Sequence, residues 1–118
     1  MSRISHLHVH TQYSLLDGAA GIDALYKKAM ADNMPALAIT DHGNMFGALS
    51  FVAEAYKHKN EDGSPKVKPI VGCEFYVVRD RHIKAFTKDQ KDIRYHQVLL
   101  AKNSTGYQNL IKLSSLGF

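Results

Sequence analysis

The chain has 118 residues, 45% of them hydrophobic, with one cysteine and a formal net charge of +4. That length holds at most one domain, the lone Cys73 excludes an internal disulfide framework and favours a reducing compartment, and no apolar stretch approaches the roughly 20 residues of a membrane span. The mild basicity suits an anionic substrate such as a nucleic acid or phosphate ester, and equally a surface of solvated lysines. Met1 to Ile4 lacks the apolar region of a signal peptide, so the cytoplasm is the expected compartment.

Ser5 to Thr11 reads Ser-His-Leu-His-Val-His-Thr. Read as a strand, its period of two puts His6, His8 and His10 on one face and Leu7 and Val9 on the other. Gln12 to Gly21 reads as a loop carrying Asp17. Ile22, Leu25, Tyr26, Ala29 and Met30 mark one face of a helix from Ile22 to Asp32, and Asn33 and Pro35 stop it. Ala36 to Thr40 is an apolar run of the length of a buried strand, ending in Asp41-His42-Gly43-Asn44. Asn44 reads as the N-cap of a second helix, Met45 to Lys59, with Met45, Leu49, Val52, Ala53 and Tyr56 as its apolar face.

Asn60 to Lys66 is a polar loop. Val67 to Val78 holds a third strand, expected to break at Gly72-Cys73-Glu74. Arg79 to Arg94 is a charged excursion; Arg79, Arg81 and Lys84 there read as a solvated loop or as phosphate contacts. Tyr95 to Ala101 reads as a fourth strand. Ser104 is placed to cap a last helix with Tyr107, Leu110, Ile111 and Ser114 on one face. Alternation of strands and helices predicts an α/β fold with a largely parallel sheet.

In such folds the loops after the strands converge on one side of the sheet, so residues distant in sequence meet there. His8, His10, Asp17, Asp41, His42, Glu74 and His96 occupy those positions. Imidazoles and carboxylates, almost without thiolate, suit zinc, manganese or iron. Each residue also has a plainer use. His8 and His10 can form a polar strand face, Asp17 can cap the first helix, the Asp41-His42 pair can simply open the second helix, and His96 can lie at the surface. Glu74 is harder to place so, because a carboxylate inside an apolar run needs a cation or hydrogen-bond donors. A carboxylate beside a ligand histidine commonly accepts from and orients imidazoles, the role expected of Asp41. His6, His58 and His82 read as structural or solvated, and Cys73 as buried filler on the strand face opposite Glu74.

Taken together, His8-Val9-His10-Thr11, Ser14-Leu15-Leu16-Asp17-Gly18 and Ile39-Thr40-Asp41-His42-Gly43-Asn44-Met45-Phe46-Gly47 resemble the first two motifs of the polymerase and histidinol phosphatase (PHP) family. With Gly72-Cys73-Glu74 and the closing Asn109 to Phe118 the whole chain is similar to the PHP domains that open bacterial replicative DNA polymerase alpha subunits. The resemblance implies the N-terminal part of a distorted (β/α)7 barrel, a partial PHP domain over residues 1–118, with metals at the C-terminal ends of the strands. It carries over His8, His10, Asp17, His42, Glu74 and His96 as ligands, Glu74 as the bridging carboxylate. The family's later ligands, a His or Cys and an Asp-x-His pair, match nothing here. A half barrel leaves a strand edge unpaired, so either self-association or an incomplete metal site is expected.

The resemblance further implies a metal-dependent phosphoesterase acting in 3′–5′ exonucleolytic proofreading, within a DNA-directed DNA polymerase. DNA, a proofreading subunit and a sliding clamp are the implied partners. The rival readings are a non-catalytic, metal-stabilised module of the polymerase and a small-molecule phosphatase or amidohydrolase.

Overall fold

A computed structural model describes residues 4–18, 20–80, 82 and 94–117, with backbone alone at 15–17. After an extended lead-in and a 3-10 turn, Gln12–Asp17, come helix α1 (Ile22–Ala31), strand β1 (Ala36–His42), helix α2 (Ala48–Ala55), strands β2 (Lys68–Val77) and β3 (Tyr95–Leu100), and helix α3 (Ser104–Leu116). The sheet order is β1-β2-β3. β1 and β2 are parallel, and β3 runs antiparallel to β2, so the sheet is mixed rather than largely parallel. Among the described residues it is an open three-stranded sheet, not a closed barrel.

The core lies between β1 and the first two helices. Ile22, Tyr26 and Ala29 of α1 pack on Leu37 and Ile39 of β1 and on Phe51 and Ala55 of α2, with Val67 closing the cluster. Leu25 and Met30 border it, so the apolar periodicity of the first helix located its inner face. Tyr26 is fully buried. Its hydroxyl accepts from Val67 N at 2.9 Å and donates to Val67 O at 2.7 Å, pinning the entry to β2.

The second helix differs from its sequence reading. Asn44 does not cap it: its Oδ1 accepts from Phe46 N at 3.2 Å, closing a turn, and the helix begins three residues later, with Gly47 at the cap position. Its buried face is Ala48, Phe51 and Ala55, while Leu49 is 78% exposed and Tyr56 faces water. On the inner face Ala48 and Ala55 flank Phe51, while Leu49 and Tyr56 point away. The cap of α3 also moves by one: Asn103 Oδ1, not Ser104, accepts from Gly106 N at 3.0 Å.

β2 runs unbroken through Gly72-Cys73-Glu74. A Cβ on Gly72 would stand 2.6 Å from Leu99 O and 3.0 Å from Thr40 Cγ2. The glycine therefore marks close approach of three strands rather than a break.

Ser5 to Thr11 lies alongside β1 without forming a regular strand. His6 O accepts from Ala38 N at 3.0 Å and Val9 O from Thr40 N at 2.8 Å. Three residues on this segment thus span two on β1, as in a bulge, and the alternation of side chains is interrupted between them. Val9 N donates to the Thr40 hydroxyl at 3.0 Å instead of a strand carbonyl. In consequence Val9 packs on the core while Leu7 and His6 remain exposed.

Candidate metal centre

Parallel register sets His42 directly beside Glu74, and antiparallel register sets Tyr76 beside His96. Period two then places Glu74 and Tyr76 on one face of β2, toward the extended segment that bears His8 and His10. Gly43 ends β1 with φ +64, a left-handed conformation that favours glycine, and its N–H donates to Glu74 O at 2.9 Å. The turn after the strand is therefore anchored next to the carboxylate.

Glu74 is the centre of the arrangement and only 4% exposed. Its Oε2 meets His8 Nε2 at 2.9 Å, His10 Nε2 closer still, and His42 Nδ1 at 3.6 Å. Its Oε1 meets His96 Nδ1 at 2.5 Å. Burial pushes the Glu74 carboxyl up, but hydrogen bonds from His8, His10 and His96 and the nearby His42 charge outweigh it, leaving the pKa at about 2. The carboxylate is thus ionised at neutral pH and accepts only, so each bonded imidazole nitrogen carries the proton.

Two groups of three donors result: His8, His10 and Glu74, and His42, Glu74 and His96, each with its ligand atoms within 4.8 Å of one another. Glu74 belongs to both. Nitrogen and oxygen donors of this kind fit divalent zinc, manganese or iron, and an ion would take the place of the protons now held between imidazole and carboxylate. Cys73 contributes nothing to the set. It lies on the opposite strand face, its Sγ donating to Asp41 O at 3.3 Å, and burial raises its pKa to about 11.

Asp41 is nearly fully buried. Its carboxylate accepts from Thr11 N at 2.6 Å, Thr11 Oγ1 at 2.8 Å and Ser14 Oγ at 2.7 Å. Ser14 Oγ in turn accepts from His42 N at 3.2 Å. These bonds fix the backbone just after His10 and at His42, rather than an imidazole ring. Thr11 and Ser14 escaped the sequence reading, since hydroxyl residues in a polar loop carry no periodic signal. The side chain of Asp17, and Arg81 and Lys84, lie outside the described residues; Arg79 is exposed. His58 faces away from the centre, pairing with Glu54 and stacking on Tyr26.

Tyr76 also escaped notice. Its ring is 4.8 Å from that of His96 and 6.3 Å from that of His42. The signal was present: a residue two positions after Glu74 on a strand shares its face.

Comparison with known proteins agrees with this geometry. The family model described as the PHP domain matches residues 6–118. The chain is 48% identical to DNA polymerase III subunit alpha of Borreliella burgdorferi, over 99% of its own length and 10% of that protein. It is 46% identical to the subunit of the same name from Treponema pallidum, over 100% of this chain and 10% of that protein. The Thermus aquaticus subunit is likewise 46% identical, over 98% and 9%. The chain thus spans about a tenth of the length of the curated relatives it matches. A match over nearly all of the chain, with the first motifs' histidines gathered around one glutamate, places this protein in the PHP domain family.

Proposed function

We propose that this chain is the metal-binding phosphoesterase region of a replicative DNA polymerase alpha subunit, acting in 3′–5′ exonucleolytic proofreading. The observation that carries the reading is Glu74: a buried carboxylate whose two oxygens face imidazoles from three separate segments. That arrangement suits a carboxylate shared between two divalent ions.

His8 and His10 would hold one ion with Glu74, and His42 and His96 another, with Asp17 an additional ligand. Bound ions supply Lewis acidity and make a water acidic enough to act near neutral pH. In the hydrolysis the water oxygen bonds to phosphorus, the phosphorus bond to the 3′ oxygen breaks, and a proton passes to that oxygen. Asp41 is a positioning residue, holding Thr11 and Ser14 so that the two histidine-bearing segments keep their spacing. In this reading the protein works in the cytoplasm on DNA, beside a proofreading subunit and a sliding clamp, and residues 1–118 form part of a barrel completed by further strands. No helix of the described residues is long and apolar enough to cross a membrane.

A second reading has one observation in its favour. Only sparse backbone hydrogen bonds join Ser5–Thr11 to β1, so metals held by His8 and His10 would also staple that segment in place. The domain would then brace the polymerase without cleaving anything. A small-molecule phosphatase is the weaker rival, given that nearly all of this chain is similar to a tenth-length part of polymerase subunits.

Elemental analysis of the intact polypeptide carrying this chain, with and without His8→Ala/His10→Ala, separates the readings. Stoichiometric zinc, manganese or iron, lost in the variant together with release of 3′-terminal nucleotides, supports the phosphoesterase. Metal without nucleotide release selects the structural module. Absence of metal overturns both.

A further inference from the structure

Tyr76 stands on the face of β2 that carries Glu74, directly across the ladder from His96. Its ring plane lies 9° from that of His42 and is inclined at 67° to that of His96. The guanidinium carbon of Arg94 is 5.7 Å from the ring centroid. Despite these neighbours the residue is 53% exposed.

A tyrosine used for packing buries its ring and gives its hydroxyl a partner. Tyr26 does both in this fold. Tyr76 instead presents an aromatic surface to water at the rim of four imidazoles and a carboxylate. A ring and a guanidinium at the edge of a metal cradle match two parts of one ligand. Aromatic side chains stack nucleobases with little regard to their identity, and a guanidinium pairs with a phosphate anion. A simple alkyl phosphate offers no flat π-face to the ring.

We propose that Tyr76 is a specificity-determining residue that stacks the base of the nucleotide whose phosphate enters the metal centre. The inference rests on the phosphoesterase reading and adds to it recognition of the terminal nucleotide's base by a single ring. A single-stranded end presents its base free, whereas a paired end keeps it in the duplex stack.

The test uses the intact polypeptide and two single-stranded oligonucleotides, one with an ordinary 3′-terminal nucleotide and one abasic at that position. The activity counted is the part abolished by His8→Ala/His10→Ala. In the unaltered protein kcat/KM should favour the ordinary end by at least about fivefold, the low end of what stacking on one aromatic side chain provides. Tyr76→Ala should erase the preference by slowing only the ordinary end, and Tyr76→Phe should restore it. Metal content should be equal in all three. A second readout is independent of turnover: with metal removed, a strand ending in 5-iodouracil should photo-crosslink to Tyr76, as mapped by mass spectrometry.

Three results overturn the proposal. If Tyr76→Ala keeps the preference for the base, the ring does not read it. If Tyr76→Ala loses metal and slows both ends alike, the ring merely braces His42 and His96. If the unaltered protein holds metal yet releases neither end, the phosphoesterase reading itself has failed.

Discussion

On one face of the sheet Leu37 and Ile39 lie beneath α1 and α2; on the other, Thr40 and His42 look toward Glu74 and the His8–His10 segment. The two faces share one backbone and one register, yet different forces hold them. The helix-covered face is held by apolar burial, which pH and metal scarcely alter. The other is held by charge and hydrogen bonds around a single carboxylate, which depend on both. The register that buries the first face is therefore what gives the second its geometry.

The comparison breaks most strongly at Phe51, which is fully buried in the covered face. Phe51→Ala should cost about 3–5 kcal/mol of unfolding free energy, measured by urea denaturation. Below the transition, the folded protein should still bind metal in the original stoichiometry. Loss of metal at native-like circular dichroism would show that the faces are less separable than this.

Gly72→Ala should strike both faces. The added Cβ meets Leu99 O and Leu100 Cδ2 at 2.6 and 2.7 Å, and the overpacking should cost about 1–3 kcal/mol. Because the forced shift pushes β2 and β3 apart at Gly72 and Leu100, on the same face and two residues from Glu74, metal affinity should fall as well. Unchanged affinity in a calorimetric titration would contradict the shared-register argument.

Acid should act on the polar face through Glu74. The Glu74 pKa is depressed from an ordinary 4.5 to about 2, so its stabilising contribution is complete above about 4.5 and disappears as pH falls toward 2. In chelator, the stability advantage of the unaltered protein over Glu74→Gln should shrink across that window. A pH-independent difference would mean that the imidazoles do not hold the carboxylate ionised.

The smallest effect concerns Cys73, buried on the helix-covered side with its thiol pushed up to about 11. It should resist iodoacetamide at pH 8 in the folded protein and react fully in denaturant, as read by mass spectrometry.

What the sequence disclosed follows the same division. The inner face of α1 was legible because large apolar residues, Ile22, Tyr26 and Met30, fall on one side and lysines on the other. In α2 the large apolar residues Leu49 and Tyr56 lie outside and the small Ala48 and Ala55 inside, so hydrophobic periodicity marked the wrong stripe. Gly72 read as a strand break because its reason, the approach of Leu99 and Thr40, lies on other strands. The bulge between His6 and Val9 was invisible for the same cause: it depends on a threonine hydroxyl some 30 residues away. The histidines were conspicuous by their spacing and motifs and Glu74 as a carboxylate inside an apolar run, and the structure gathers His8, His10, His42 and His96 around Glu74. Asp41 was noticed but its partners were not, since Thr11 and Ser14 become significant only once the fold brings them to it.

Glu74 also imposes an order of events. It meets His8 across 66 residues of sequence, His10 across 64 and His96 across 22. None of these encounters is local, so each must bear the entropy of closing a long loop before it forms. During synthesis the His8-x-His10 segment emerges long before its glutamate and meets passing metal ions with imidazoles alone. A complete donor set arises only after β1, β2 and β3 have paired. Tight metal capture would therefore serve as a late checkpoint, sealing an N-terminal segment that the backbone ladder alone secures poorly.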